Sequence, residues 1–148
     1  REVLTDDHGN MVKFDEQLKL GGDVLYLAEA AVRTERAKYI DKAFYHYYQR
    51  EESGCHTKVL SKMKDWLKAY EKTIELMEQN GIQKDTIDYI KRFLAYHSSN
   101  AAEIAIEQKD DKSKKEFQNI MRQYKKEYTD LNAEFPERIA RYESILKS

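Results

Sequence analysis

The stretch HTKVLSKMKDWLKAYEKTIELMEQN, residues 56–80, decides the fold. Val59, Leu60, Met63, Trp66, Leu67, Tyr70, Ile74 and Met77 recur at the i, i+3, i+4, i+7 spacing that places them on one face of an α-helix. Asn80-Gly81 then supplies the stop signal for a left-handed terminating residue. A helix with one apolar face has to bury that face against other helices, so the stretch predicts a bundle.

The pattern repeats downstream. Residues 85 to about 108 carry Ile87, Ile90, Leu94, His97, Ala101, Ile104 and Ala105 at helical spacing. Ser98-Ser99-Asn100 lowers helix propensity at the centre, which leaves one bent helix or two open. Lys109-Asp110-Asp111-Lys112 turns the chain into a third helix with Phe117, Ile120, Met121, Tyr124, Tyr128 and Leu131. Pro136 suits the first turn of a last helix, whose stripe is Phe135, Ile139, Tyr142, Ile145 and Leu146. Short connections predict an up-down arrangement of three to four helices, and the stripes read as core. Tyr89, Phe93 and Tyr96 lie off the main stripe and offer either a wider core contact or a face for self-association.

Composition agrees. The 148 residues include five glycines and one proline, too few breakers for a sandwich or barrel of many turns. No stretch approaches the ~20 apolar residues of a membrane span. The net charge of −1 removes the global electrostatic case for nucleic acid as a partner and leaves only a local patch open. Cys55 is the single cysteine, so no intramolecular disulfide forms and a cytoplasmic setting is expected. The opening Arg1-Glu2-Val3-Leu4 is neither a signal nor a cap, and reads as the start of a piece excised from a longer chain.

The first third has a different texture. Four of the five glycines, Gly9, Gly21, Gly22 and Gly54, fall there, and the composition shift near Ser53-Gly54 separates residues 1–54 from a helical domain over 55–148. Asp23 to about Arg36 predicts a short helix with Val24, Leu27, Ala28, Ala31 and Val32 facing inward and Gly22-Asp23 as its cap. Ala37–Asp41 and Ala43–Tyr48 are aromatic and without a helical stripe, which predicts two short strands.

Several chemistries are set aside. The chain has no Gly-rich phosphate loop, Cys-x-x-Cys, His-Glu-x-x-His or Gly-x-Ser-x-Gly, and His8, His46, His56 and His97 are scattered. Cys55-His56 is not a metal pair without further ligands, and nothing around Cys55 marks a nucleophile. What stands out is an order of features. It runs through Phe14-Asp15-Glu16, Leu20-Gly21-Gly22-Asp23-Val24-Leu25-Tyr26, Tyr39-Ile40-Asp41-Lys42 and Tyr45-His46-Tyr47-x-x-Arg50-x-x-Ser53.

This order resembles the distal part of the catalytic domain of family 2 glycosyltransferases, inverting enzymes with a GT-A fold. The likeness covers roughly residues 1 to 57. It implies that Asp23 matches the aspartate of the family's Glu-Asp box, the general base that takes the acceptor hydroxyl's proton. A carboxylate at a helix N-terminus is held ionised there, which suits that role as well as it suits a plain N-cap. Arg50 and Ser53 match residues near the nucleotide diphosphate, where a guanidinium and a hydroxyl neutralise the leaving group. Read locally, Arg50 is a solvated strand end and Ser53 a helix cap. His46 and Tyr48 are donor or acceptor contacts by the same likeness, or core aromatics without it.

Two departures matter. Gly22 stands where the family has the Glu of its box, and Tyr48 where it has the first Arg of the later segment. Each removes a charge from the site: either the family tolerates both changes, or this member is slow, altered in specificity or inactive. The nucleotide-binding half, with the Asp-x-Asp pair that holds a divalent Mn or Mg ion, is expected upstream of Arg1. The resemblance therefore implies the C-terminal part of an enzyme that moves a sugar from a nucleotide donor to a glycan, teichoic acid-like or lipid-linked acceptor. It also implies work at the inner face of a bacterial membrane and a fragment that transfers nothing alone. The rival is a non-catalytic helical interaction or oligomerisation module. A helical nucleotide-binding regulator is a third reading, and would need a basic surface that the charge balance does not supply.

Overall fold

A computed structural model describes Thr5, residues 11–46, Tyr48 and residues 58–148. Among these the chain is mainly helical: α1 (Gly22–Val32), α2 (Leu60–Gln79), α3 (Lys84–Glu107), α4 (Asp111–Gln123), α5 (Lys125–Leu131) and α6 (Pro136–Lys147). The bundle forms around α3, which packs on α2, α4, α5 and α6, while α1 packs chiefly on α2. Leu94, Ala101, Ala102, Ala105, Phe117 and Met121 are fully buried in the common core. No helix among the described residues is long and apolar enough to cross a membrane.

The helix ends follow from local chemistry. Gly81 closes α2 at φ 65°, with the amides of Gly81 and Ile82 bonded back to the carbonyls of Glu78 and Met77. The same motif closes α3, except that a lysine, Lys109 at φ 56°, occupies the left-handed position. α4 starts on Asp110, whose Oδ1 accepts from the Ser113 amide at 3.0 Å and whose Oδ2 accepts from the Ser113 hydroxyl at 2.7 Å. Those two bonds hold the Asp110 carboxyl below the usual carboxylate range. Pro136 occupies the first turn of α6, as its missing N–H allows.

Two helix expectations resolve differently. α3 runs unbroken through Ser98-Ser99-Asn100. The buried hydroxyls of Ser98 and Ser99 donate to the carbonyls of Leu94 and Tyr96, so both are satisfied inside the helix that carries them. The third helix is instead two, because the backbone leaves helical geometry at Tyr124. Tyr142 of α6, 1% exposed, donates its hydroxyl to the Met121 carbonyl in the last turn of α4, at 2.6 Å. That serves from outside a carbonyl at a helix end.

Three corrections concern the first third. The cap of α1 is Gly21, at φ 81°, rather than Gly22-Asp23. The face of α1 that is buried carries Leu25 and Ala28, whereas Leu27 and Ala31 are exposed and the helix ends at Val32. Close approach sets this rotation: a Cβ on Gly21 would lie 2.8 Å from the Ala69 Cβ and 3.0 Å from Trp66, so the start of α1 sits directly on α2. Last, Ala37–Asp41 and the described part of Ala43–Tyr48 are not strands. Tyr39, Phe44, Tyr45 and Tyr48 are between 74% and 85% exposed. Local β propensity needs a neighbouring strand to pair with, and none is paired to this segment among the described residues.

Candidate functional site

The loop before α1 is fixed to the bundle by three contacts. Phe14 stacks on Tyr26 with ring centroids 4.5 Å apart, Asp15 pairs with Lys72 of α2 at 2.5 Å, and the Lys19 amide donates to Asp65 of α2 at 3.2 Å. The Lys72 ammonium, helped by the Gln17 amide, holds the Asp15 carboxyl below its ordinary value. This clamp delivers the chain to Gly21, whose left-handed backbone starts α1 and accepts the Val24 amide at 3.0 Å.

Asp23 follows in the first turn of α1 with its carboxylate exposed. Its only hydrogen bond among the described residues is from the Val24 amide to Oδ1, at 3.0 Å, so the second oxygen faces solvent at the positive end of the helix. Asp23 also lies near Tyr70. Burial pushes the Tyr70 hydroxyl up, a hydrogen bond from Trp66 opposes that, and the Asp23 charge adds a smaller upward push.

His46 and Tyr48 are both exposed in the irregular segment after α1. Among the described residues no hydrogen bond or ion pair joins either of them to Asp23. Arg50 and Ser53 lie outside the described residues, as do Tyr47, Cys55, His56 and the Ser53-Gly54 boundary. Of the three described candidate site residues, Asp23, His46 and Tyr48, Asp23 alone sits on a regular element.

No family model, curated protein or solved structure matches this chain.

A cavity beside α1 does not include Asp23. It measures about 350 Å³, lies between the loop, α1 and α2, and is lined by Asp15, Leu25, Glu29, Lys72, Glu75 and Gln79 among others. Three carboxylates against one lysine, itself committed to Asp15, make it unsuited to a nucleotide diphosphate. Among the described residues no group of three or more His, Cys, Asp or Glu side chains could hold a metal ion.

His97 carries the strongest perturbation near neutral pH. It stacks on Trp66 at 4.3 Å and on Tyr70 at 5.4 Å, with Phe93 and Tyr96 completing an aromatic cage. Burial there pushes its pKa down to about 4. It is a half-buried histidine packed on the inner face of α3, where the helical stripe placed it. The partners that clamp the loop, Asp65 and Lys72, escaped the sequence reading because they lie 46 and 57 positions from the groups they hold. Nothing in the linear pattern pairs them.

Proposed function

We propose that this chain is the distal part of a family 2 glycosyltransferase catalytic domain, residues 1–54, joined to a helical domain over 55–148. The observation that carries the reading is the start of α1: a left-handed Gly21, then Gly22, then Asp23 with a free carboxylate oxygen at the positive helix end. Asp23 takes the proton from the acceptor hydroxyl as that oxygen attacks the anomeric carbon. The bond to the nucleotide diphosphate breaks on the opposite side, which inverts the centre. Arg50 and Ser53 meet the departing diphosphate, and His46 and Tyr48 contact donor or acceptor.

The helical domain supports this site mechanically, since α2 provides Asp65, Trp66, Ala69 and Lys72 against which the loop and α1 are set. Nucleotide-sugar donor, glycan acceptor and a cytoplasmic position at the inner membrane face belong to the same proposal, as does the absence of transfer by these residues alone. The family's Mn or Mg ion is held, on this reading, by residues outside this chain, and no step here is routed through it.

The test is Asp23→Asn in the polypeptide that joins this chain to its nucleotide-binding half. Loss of a general base lowers turnover by about 10²- to 10⁴-fold while donor affinity, read by calorimetry, stays within about twofold. Retained turnover removes the assignment.

A second reading, a non-catalytic interaction module, is favoured by the exposed aromatic side chains of Tyr39, Phe44, Tyr45 and Tyr48. Light scattering behind size-exclusion chromatography, over a wide concentration range, tests its self-associating form. A strict monomer sinks that form.

A further inference from the structure

A second cavity, about 130 Å³, opens between α3, α5 and α6 and is lined by Arg92, Phe93, Tyr96, Tyr128, Asn132 and Arg138. Two of its six lining residues are cations and none is an acid. Neither guanidinium forms an ion pair among the described residues, in contrast to neighbouring Arg141, which is held by Glu103 and Asn100. Arg92 lies over the rings of Tyr89 and Phe93, at 4.6 and 4.7 Å, and Arg138 lies over Phe135 at 4.3 Å. Ring stacking orients a guanidinium without using its N–H donors, which stay available to an oxyanion.

The floor is polar and preset. Tyr128 is 3% exposed and packed flat on Tyr142 at 4.1 Å, and its hydroxyl has no hydrogen-bond partner among the described residues. Asn132 is equally buried; its amide donates to the Tyr128 carbonyl at 2.8 Å and its oxygen accepts Arg138 Nη1 at 3.5 Å. The walls, Phe93, Tyr96 and Tyr128, are aromatic. A space of roughly this volume, about 150 Å³, is enough for a benzene-sized body.

We propose that this cavity binds a small organic anion: a carboxylate or phosphate head between Arg92 and Arg138, on a flat body no larger than a six-membered ring lying against Phe93 and Tyr96. The Tyr128 hydroxyl donates to the same head. The site is independent of Asp23 and of the transferase reading.

The probes are benzoate and phenyl phosphate, titrated into the chain while the aromatic side-chain resonances of Tyr96 and Tyr128 are followed by NMR. At least one probe is expected to shift both saturably below about 1 mM, a range open to a ligand of this size. Arg92→Gln and Arg138→Gln each weaken binding tenfold or more, and Tyr128→Phe weakens it severalfold. Arg122→Gln, on an exposed arginine of α4 bonded to Asn119, leaves it unchanged. Thermal melts show that each variant remains folded. Three results overturn the proposal: no saturable shift with either probe, binding that survives the double arginine substitution, or equal binding of neutral benzyl alcohol. Benzoate against phenyl phosphate then tells which head the arginines select.

Discussion

Between about pH 7 and about pH 5, acid should loosen this protein chiefly through His97, since the lowered carboxyls of Asp15 and Asp110 lose their stabilisation only in stronger acid. The native state keeps the His97 ring neutral, with its pKa pushed from 6.5 down to about 4 by burial, while in the unfolded chain the ring takes up a proton below 6.5. The stability that this contributes is present above pH 6.5, drains away as the pH falls toward 4, and does not change further below that. Fully expressed, the gap corresponds to about 3 kcal/mol, and between about pH 7 and about pH 5 the loss is about 2 kcal/mol. Attraction of a protonated ring to the Trp66 indole face, worth roughly 0.5 to 1 kcal/mol, acts only on the protonated native form, a minority at about pH 5, so it trims that loss by no more than about 0.2 kcal/mol. Glu71 titrates with the opposite sign, because burial and the charge of Glu116 push its carboxyl up. The comparison must therefore be between proteins. Urea unfolding of the wild type and of His97→Phe at both pH values isolates the histidine as the difference of two differences. An equal pH dependence in the two proteins, or a wild-type His97 ring that titrates by NMR near 6.5, would refute the reasoning.

Three further outcomes follow from the packing. Tyr142→Phe keeps the ring stacked on Tyr128 but leaves the Met121 carbonyl without its donor, and should cost about 1 to 2 kcal/mol in urea unfolding. Gly21→Ala combines a left-handed backbone with a Cβ 2.8 Å from that of Ala69, so a loss of about 2 kcal/mol or more is expected, with the circular dichroism of the bundle retained. The two left-handed helix ends form a matched pair. Gly81→Ala, where no atom crowds the new Cβ, should destabilise by about 1 kcal/mol, and Lys109→Gly should stabilise by up to about 1 kcal/mol in thermal melts.

How far the sequence could be read depended on whether a feature was local. α2 was legible because its apolar stripe is unbroken and its stop, Asn80-Gly81, is adjacent. Pro136 marked α6 for the same reason. The continuity of α3 was hidden, since Ser98 and Ser99 look like breakers until their hydroxyls are seen bonded to Leu94 and Tyr96. The interruption at Tyr124 carries no Gly or Pro; the neighbouring carbonyl is served by Tyr142, which is 21 residues away. The aromatic run from Tyr39 to Tyr48 has the composition of strands, yet a strand is a property of a pair, and composition says nothing about the partner. At the candidate site, the start of α1 was legible from Gly21-Gly22-Asp23. The clamp by Asp65 and Lys72 and the two arginines of the α3–α5–α6 cavity were not, because each joins parts of the chain far apart in sequence.

The seating of α1 chiefly on α2 has a kinetic meaning. α3 shares its buried surface with four helices, so its amides exchange with solvent only when the whole bundle opens. α1 buries just Leu25 and Ala28 and is held by Gly21 and the Asp15–Lys72 clamp, so it detaches at a fraction of that free energy. The segment bearing Asp23 is thus a separate cooperative unit, docked on a scaffold that remains folded when it lets go. In deuterium exchange the amides from Val24 to Val32 should form one early-exchanging group, and the opening that releases them would carry Asp23 away from α2 without unfolding the core beneath it.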